Sequence, residues 1–389
     1  MRALQTATEP EIDGQTGRRT AISAIATRIL DCPTTRRHKL SNTEVTHQSF
    51  VNVEVTLADG TIGYGEASTL GGPRWAEESV EAIKANIDTY LTPELLGASA
   101  LAFEANALRM RKAVSRNASA RAAVESALFD AAGKALDLSA SQLLGGAVRD
   151  RIEVLWALAS GDADQEIEEA HRKLAAREHR RFKIKLGFYE PAQDMIRLRK
   201  IMAAMPEGTE MVVDVNQAWT EATAIRYLPE LSEMNIALIE QPLKPGLIAA
   251  TARIAARSPI PIMTDEAAFT TREIVQNAAV AAGSVYSLKL VKSGGLLELK
   301  RAAGVANAFG MELYGGCLLE SGIGAAAHLA VFATLPELEW GCEHFGPRIL
   351  GRDLTSAGLT FRDFHIELPT GPGLGITVDH DALRDATRR

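Results

Sequence analysis

Residues 182–187 read FKIKLG, a short apolar run that carries polar residues near its C-terminal end. Comparable runs occupy residues 152–158, 182–186, 211–215, 237–239, 260–263, 285–290 and 312–314. Each run is followed by an amphipathic stretch of about one helix length, an alternation typical of a parallel sheet covered by helices. Because about seven or eight such units close most simply into a barrel, we predict an α/β fold built on a (β/α) barrel.

The alternative to a barrel is an open, doubly wound sheet. No predicted strand is followed by a glycine-rich phosphate loop of the GxGxxG or GxxxxGK[ST] kind, which disfavours that fold. The GPGLG stretch at residues 371–375 lies in a proline-rich tail with no helical pattern after it. We therefore do not interpret it as a nucleotide-binding loop.

The segments on either side of the barrel pattern have a different character. Residues 47–57 alternate as a half-buried strand before a turn signal at Asp59, and helical periodicity follows at about 75–91 and 118–137. The chain is therefore predicted to have four parts: a flexible leader (1–19), an α+β domain (20–150), the barrel (151–349) and a C-terminal segment with no further βα unit (350–389).

The composition limits the classes of function. The chain has 389 residues, a net charge of −7, 46% hydrophobic and 23% charged residues, which is typical of a globular protein with no general attraction to nucleic acid or anionic membranes. No apolar segment is long enough to span a membrane, and the first residues lack an apolar signal core. Cys32, Cys317 and Cys342 have no metal-finger spacing and suit a reducing compartment. We predict a cytoplasmic protein that binds neither nucleic acid nor membranes.

Two lysines lie in the FKIKLG strand. Lys183 and Lys185 are two residues apart, so both side chains point to one face, which is the interior in a closed barrel. Repulsion between the ammonium groups, together with burial, is expected to lower the pKa of at least one of them towards the range of a general base. The alternative is a solvated edge strand.

The next three runs each end in a carboxylate. These are Asp214, Glu240 and Asp265. Either aspartate alone would suit a helix N-cap, but carboxylates on three successive strand ends of a barrel converge and need a cation to offset their repulsion. All-oxygen ligands favour Mg²⁺ or Mn²⁺. Asn216 and Glu266 lie close by in sequence and are expected to support the metal ligands or bind the substrate.

The following units supply further polar candidates. Lys289 places an ammonium group roughly opposite the two lysines of the FKIKLG strand, whereas Lys292 lies where the strand leaves the barrel and is not counted in the site. Glu320 lies in the glycine-rich stretch YGGCLLESGIG beside the predicted barrel mouth and is expected to be catalytic. His328 lies in an apolar helical segment and is interpreted as a core residue, while His344 is left open.

With these residues in this order, the chain resembles the enolase superfamily and, within it, the muconate lactonizing subgroup. The resemblance runs from about residue 22 to residue 385. It is carried by the stretches GEASTLGG, ESALFDAAGKALDL, LLGGAVRDRIEV, WALASGD, FKIKLG, VDVNQAW, LIEQPL, MTDEA, LKLVKSGGL, LYGGCLLESGIG and WGCEHFGP. Such proteins have a modified (β/α)7β barrel with an N-terminal capping domain that is completed by the C-terminal tail.

The resemblance implies a muconate cycloisomerase that acts on a small dicarboxylate with the help of Mg²⁺ or Mn²⁺. Asp214, Glu240 and Asp265 would bind the metal. Lys185 would exchange the proton on the carbon next to the carboxylate, Lys183 would tune it, Lys289 would flank the opposite face and Glu320 would donate a proton. The resemblance further implies a homo-oligomer, an octamer, and a capping loop in which Leu70 and Trp75 line the closed site.

Several alternatives remain at this point. The capping loop LGGPRW is similar to that of the chloromuconate branch, whereas ESG at residues 320–322 is similar to the plain muconate branch. Ala267 also replaces the serine that usually follows the DE pair. Racemases, epimerases, dehydratases and succinylbenzoate synthases use the same constellation, although no Asp-x-Asp pair of the dipeptide epimerase kind is present. A catalytically silent barrel that serves as a binding module is the non-enzyme alternative.

Overall fold

The computed structural model describes residues 14–389, with side chains described from residue 17 onward. The first part of the predicted leader therefore lies outside the described residues. Its last residues form a short helix, α1 (Gly14–Arg19), so this portion is not the irregular segment that we expected.

The N-terminal domain begins with an antiparallel sheet in the order β1-β2-β3. Its strands are β1 (Ile22–Lys39), β2 (Glu44–Leu57) and β3 (Ile62–Thr69). Sequence patterning missed β1, because it is an edge strand with an irregular register between Pro33 and His38 and only partial burial. The strand predicted at 47–57 is confirmed and begins slightly earlier.

Five helices and one π-helical turn (Ile87–Leu91) complete this domain. The helices are α2 (Val80–Asn86), α3 (Thr92–Leu95), α4 (Phe103–Ala113), α5 (Ala118–Leu136) and α6 (Ala140–Leu143). The helix predicted at 118–137 is confirmed, the one predicted from residue 75 begins only at Val80, and α4 was missed. Helix α5 packs closely on β3, since a Cβ at Gly65 would lie 2.0 Å from the carbonyl oxygen of Ala123.

The first apolar run of the barrel pattern is divided between two sheets. Residues 152–158 form β4 (Arg151–Glu153) and β5 (Trp156–Leu158), of which only β5 belongs to the seven-stranded parallel sheet. The remaining strands follow in sequence order as β6 (Arg181–Lys185), β7 (Glu210–Asp214), β8 (Leu238–Glu240), β9 (Ile262–Thr264), β10 (Val285–Leu288) and β11 (Glu312–Gly315). The predicted parallel sheet is thus confirmed.

Helices connect these strands. They are α7 (Ala163–Ala175), α8 (Pro191–Ala204), α9 (Glu221–Glu233), α10 (Ile248–Ala255), α11 (Thr271–Ala279), α12 (Leu290–Ser293), α13 (Leu296–Ala308) and α14 (Gly322–Phe332). None of the described helices is long and apolar enough to cross a membrane.

The segment around Cys342 closes the barrel. Gly315 at the end of β11 and Val154 just before β5 each form a parallel bridge with Cys342. The amide of Cys342 donates to Glu153 O at 2.9 Å, and the amide of Glu343 donates to Gly315 O at 2.9 Å. This segment therefore takes the place of an eighth strand, as in a (β/α)7β barrel.

The C-terminal segment leaves the barrel and returns to the N-terminal domain. It contains a 3-10 turn (Gly346–Arg348), β12 (Thr355–Ala357), β13 (Phe361–Arg362), β14 (His365–Glu367), β15 (Thr377–Val378) and α15 (His380–Ala386). Strand β14 pairs with β4, and Thr387 forms a bridge with Leu30 of β1. Leu374, in the GPGLG stretch, donates its amide to Asp130 of α5 at 2.8 Å, so this stretch packs as a turn.

Candidate active site

The charged residues predicted from the sequence lie at the C-terminal ends of adjacent barrel strands. Lys185 is the register partner of Asp214, and Asp214 is the register partner of Glu240. Beneath the carboxylates, Val212, Leu238 and Met263 belong to a separate buried apolar cluster, each two residues before one of them. This apolar layer fills the barrel interior, so the polar groups can meet only at its mouth.

Lys185 is paired with the first carboxylate. Its Nζ donates to Asp214 Oδ2 at 2.6 Å. Burial and the neighbouring Lys183 lower the pKa of Lys185, but the carboxylates of Asp214, Glu240 and Glu343 together outweigh them, and the pKa is raised. The expected lowering of a lysine pKa is therefore wrong, because repulsion between the two lysines is weaker than the attraction of the facing carboxylates. Lys185 is protonated at neutral pH in this arrangement.

Lys183 lies between two carboxylates. Its Nζ is 2.6 Å from Glu343 Oε2 and 2.5 Å from Glu240 Oε2, although the second contact lacks hydrogen-bond geometry. Burial, and next the charge of Asp214, raise the pKa of Glu240 well above its ordinary value. Burial also acts against ionisation of Glu343, but the nearby lysines, Lys183 foremost, lower its pKa. We therefore assign the ion pair to Lys183 and Glu343.

Asp265 accepts from two ammonium groups. Lys289 donates to its Oδ2, and Lys292 Nζ lies 3.0 Å from its Oδ1 and 2.9 Å from its carbonyl oxygen. These lysines lower the pKa of Asp265 despite its burial. Lys292, which the sequence pattern places outside the site, thus contacts a predicted metal ligand, because the short helix α12 turns its side chain back over the strand end.

Asn216 and Glu266 lie beside these carboxylates. Asn216 has a left-handed backbone with φ of 42°, donates its amide to Asp214 Oδ1 at 2.8 Å and contacts Glu266 Oε1 through Nδ2 at 3.3 Å. Burial, and next the charge of Asp265, raise the pKa of Glu266 to about 7. The structure thus brings both residues to the edge of the site.

The residues at the barrel mouth form a donor set that suits a divalent cation, which members of the enolase superfamily use. The three carboxylates supply oxygen ligands from consecutive strand ends, and Glu240 Oε2, Glu266 Oε2 and Asn216 Oδ1 are buried without a hydrogen-bond donor among the described residues. These oxygens suit Mg²⁺ or Mn²⁺. The ligand oxygens of Asp214, Glu240 and Asp265 do not all lie within 4.8 Å of one another, since each faces a lysine.

The N-terminal domain covers the barrel mouth. Ser41 Oγ donates to Asn216 O at 2.7 Å. Trp75 places its ring centre 4.5 Å from Lys289 Nζ, and Leu70 shares a small cavity with Trp75 and Leu318. A larger cavity of about 570 Å³ extends from Trp75, Glu266 and Lys292 towards solvent. The two predicted capping residues are therefore adjacent to the charged site.

Glu320 is buried beside the N-terminal domain. Its Oε2 accepts from the amide of Leu318 at 2.9 Å, and its Oε1 is 3.4 Å from Ser68 Oγ of the N-terminal domain. Burial raises the pKa of Glu320 to about 7. His328 is buried as expected, and His344 lies beside it with ring centres 4.3 Å apart.

Sequence reasoning missed Glu343. Besides Lys183, this carboxylate accepts from Tyr314 Oη at 3.0 Å and from the amide of Cys317 at 2.9 Å. It follows the strand-like segment that closes the barrel, so it occupies the same relative place as Asp214 and Glu240. The sequence signal for a strand that ends before Glu343 is weak, because the preceding apolar stretch, LEWGC at residues 338–342, is interrupted by a glutamate and a glycine.

Two family models together match most of the chain. The enolase C-terminal domain-like model matches residues 165–382, and the mandelate racemase / muconate lactonizing enzyme N-terminal domain model matches residues 24–145. The chain belongs to the mandelate racemase / muconate lactonizing enzyme family. The resemblance inferred from the sequence is thereby confirmed.

Individual relatives agree with this assignment. A chloromuconate cycloisomerase from Cupriavidus necator is 43% identical over 94% of this chain and 99% of its own length. Muconate cycloisomerase 1 from Pseudomonas putida is 42% identical over 92% of this chain and 96% of its own length. The crystal structure of a muconate lactonizing enzyme from Pseudomonas fluorescens complexed with muconolactone has a TM-score of 0.93 and 41% identity, covering 95% of this chain and 100% of that one. The predicted barrel fold is confirmed as well.

Proposed function

We propose that this protein is a muconate cycloisomerase, which interconverts cis,cis-muconate and muconolactone in aromatic catabolism. The observation that carries the proposal is the placement of Lys185 and Lys289 on opposite sides of three carboxylates at the barrel mouth, in a chain that is 42% identical to a muconate cycloisomerase. In lactone formation, one substrate carboxylate oxygen adds to the double bond. The electron pair moves towards the other carboxylate, and the carbon next to that carboxylate takes up a proton.

Asp214, Glu240 and Asp265 are the residues that would hold Mg²⁺ or Mn²⁺. When bound, the ion supplies positive charge that stabilises the enolate form of the substrate carboxylate. Asn216 and Glu266, which contact one another beside Asp214, orient this carboxylate group.

Lys185 handles the proton at the carbon next to the carboxylate. Its pKa is raised because the carboxylates of Asp214, Glu240 and Glu343 together outweigh burial, so it carries a proton that it can donate when the lactone forms. Lys183, held by Glu343, adds a fixed positive charge beside it. Lys289 binds the opposite face of the substrate under the indole of Trp75. Glu320, which has a raised pKa, is the predicted second proton donor.

The substrate is a small dicarboxylate, and the capping loop with Leu70 and Trp75 determines which substrate shape fits the site. We further propose a cytoplasmic homo-oligomer, an octamer, on the family resemblance. No nucleic acid or membrane partner is proposed.

A chlorinated muconate is the second candidate substrate. It is favoured by the 43% identity to a chloromuconate cycloisomerase and by the Pro73-x-Trp75 capping loop. Turnover of a panel of substrates decides between the candidates. The panel contains muconate, chloromuconates and N-acyl amino acids, and turnover is monitored by loss of diene absorbance or by exchange of the α-proton. Turnover of muconate with a higher kcat/KM than any chloromuconate is the expected result, and exchange confined to N-acyl amino acids would overturn the proposal.

A further inference from the structure

Arg197 of α8 contacts the backbone of Lys185, the residue to which the proposed function assigns the proton exchange. Its Nη2 donates to the carbonyl oxygen of Lys185. Lys185 is the last residue of β6, and the pairing of β6 with β5 ends one residue earlier, at Ile184. Arg197 therefore fixes the end of the strand at a carbonyl group that lies beyond the last pair with β5.

Two buried carboxylates orient this guanidinium. Arg197 Nη1 donates to Glu166 Oε2 at 2.5 Å, and Arg197 Nη2 lies 3.2 Å from Asp194 Oδ1. The side chains of Glu166 and Asp194 are fully buried, and that of Arg197 is 8% exposed. Because the guanidinium is planar and its donors form a rigid fork, the two carboxylates also fix the direction in which Nη2 meets Lys185. We call Arg197, Glu166 and Asp194 the Arg197 cluster.

Both carboxylates of the cluster also bind a turn. Glu166 Oε1 accepts from the amide of Gly161, after β5, at 2.8 Å, and Asp194 Oδ2 accepts from the amide of Gly187, after β6, at 2.6 Å. Both glycines have a left-handed backbone, with φ of 79° and 86°. A Cβ at Gly187 would lie 2.4 Å from the Cβ of Ala218, so the turn after β6 is packed tightly against the segment after β7. The backbone that follows the catalytic lysine is thus held by hydrogen bonds as well as by packing.

The position of this backbone matters for proton exchange, because the Lys185 ammonium is carried by a flexible stem of carbon atoms. Its Nζ contacts Asp214 Oδ2 at 2.6 Å, which fixes one end of the side chain, and the backbone fixes the other end. Proton transfer requires the donor and acceptor atoms to lie within about 2.6–3.2 Å of each other. A shift of about 1 Å at the strand end is therefore enough to lower the rate by about a hundredfold.

We propose that Arg197 is a positioning residue for Lys185, which it holds through the carbonyl oxygen so that Nζ meets the reacting carbon. The inference rests on the proposed function, because it takes Lys185 as the residue that exchanges the proton. Arg197 acts through Lys185 and not on the substrate, since its hydrogen bonds among the described residues go to this carbonyl oxygen, to Glu166 and to Asp194.

The competing role for the Arg197 cluster is to support the N-terminal domain. Lys39 of β1 donates from Nζ to Tyr189 Oη, in the turn after β6, at 3.1 Å, and its amide donates to Ala159 O, in the turn after β5, at 2.8 Å. A Cβ at Gly161 would lie 2.8 Å from Lys39 Cδ, so the N-terminal domain rests on the same two turns. If this were the whole role, loss of Arg197 would weaken substrate binding and raise KM, whereas loss of positioning lowers kcat.

Arg197→Lys distinguishes the two roles. A lysine keeps a positive charge near both carboxylates, but its single ammonium does not reproduce the planar fork that also binds the carbonyl oxygen. We expect kcat on muconate to fall by about tenfold to a hundredfold and KM to change by less than about twofold. Hydrogen exchange of the full-length protein without substrate, followed by mass spectrometry, should become faster at the amides of Leu186 and Gly187, which are hydrogen-bonded at this strand end.

Arg181→Lys is the matched control, because Arg181 lies at the opposite end of β6. The Arg181 side chain is 9% exposed, and it donates to Trp340 O at 3.0 Å and to Glu210 Oε1 at 2.8 Å. Arg181→Lys should lower Tm without changing kcat. Asp194→Asn is the second variant if Arg197→Lys does not fold, and it should lower kcat and leave KM unchanged.

The outcomes separate this inference from the proposed function. In an active enzyme, unchanged kcat in Arg197→Lys, a rise in KM alone, or an equal fall in kcat in Arg181→Lys would each overturn the inference. A wild-type protein that is inactive on every substrate of the panel would contradict the proposed function instead. In that case the hydrogen exchange of Arg197→Lys still decides whether Arg197 holds the strand end.

Discussion

Lys289 Nζ lies 4.5 Å from the centre of the Trp75 indole ring. This cation–π contact joins a lysine of the barrel to the capping loop of the N-terminal domain, across more than half the length of the chain. Lys289 is bound to Asp265 at the same time. A residue of the cap therefore acts directly on the charged groups at the barrel mouth.

The first prediction concerns this contact. Trp75→Tyr keeps an aromatic face over Lys289 but shortens the ring, which enlarges the cavity beside Phe269, whose ring centre is 5.5 Å from that of Trp75. We expect the ratio of muconate to chloromuconate kcat/KM to change by about tenfold, or about 1.4 kcal/mol of transition-state binding. Steady-state kinetics on both substrates measure it. An unchanged ratio would assign specificity to another part of the site.

The second prediction concerns Lys185. Lys185→Arg keeps the charge beside Asp214, but a guanidinium holds its proton too firmly for exchange. We expect a folded protein that still binds metal, with kcat lower by roughly 10² to 10⁴ and KM nearly unchanged. Lys289→Arg is the matched variant on the opposite face and should lose less in kcat. If Lys289→Arg loses kcat and Lys185→Arg does not, the proton is exchanged on the opposite face.

The third prediction concerns metal dependence. A chelator should abolish turnover, and Mg²⁺ or Mn²⁺ should restore it, because the carboxylates of Asp214, Glu240 and Asp265 need a cation for enolate stabilisation. Isothermal titration calorimetry of the metal-free protein with Mn²⁺ should show binding, and Asp214→Asn should weaken that binding. Full turnover in excess chelator would contradict this assignment.

The fourth prediction concerns Glu343. Glu343→Gln removes the charge that pairs with the buried Lys183, and we expect about 1–3 kcal/mol less free energy of unfolding and a lower kcat. Glu210→Gln is the matched control, since its partner Arg181 also lies on β6 but Glu210 is 38% exposed. Glu210→Gln should lower the free energy of unfolding by less than about 1 kcal/mol. Chemical denaturation of both variants makes the comparison, and equal losses would show that Glu343 contributes no more than a surface pair.

The fifth prediction concerns pH. Burial raises the pKa of Glu125 from 4.5 to about 7. Its contribution to stability is therefore fully present below about pH 4.5 and is lost as the pH rises through about 7. Glu125→Gln still accepts from the amide of Leu297 and cannot ionise. Relative to wild type, the variant should gain about 1–3 kcal/mol of unfolding free energy between these pH values. A difference that does not vary with pH would contradict the raised pKa.

The cluster at the barrel mouth illustrates which features local patterns reveal. Asp214, Glu240 and Asp265 were predicted because each follows a recognisable apolar run, and strand ends of a barrel meet by construction. Lys292 is not predicted as a site residue, because a strand pattern does not show that the chain turns at once into the short helix α12. The predicted direction of the shift in the Lys185 pKa is wrong, because the spacing of the two lysines does not reveal that Asp214 is the register partner of Lys185.

The sequence by itself determined the alternation of strands and helices, the family, and the residue types at the strand ends, since these are local properties of spacing and composition. Tertiary structure alone decided which groups pair. Glu343 and Lys183 are 160 positions apart and meet only because the segment at Cys342 closes the barrel beside β5. Likewise, Glu320, His328 and His344 come together only through the packing of α14 against the closing segment. Such contacts depend on long-range closure, which no local pattern encodes.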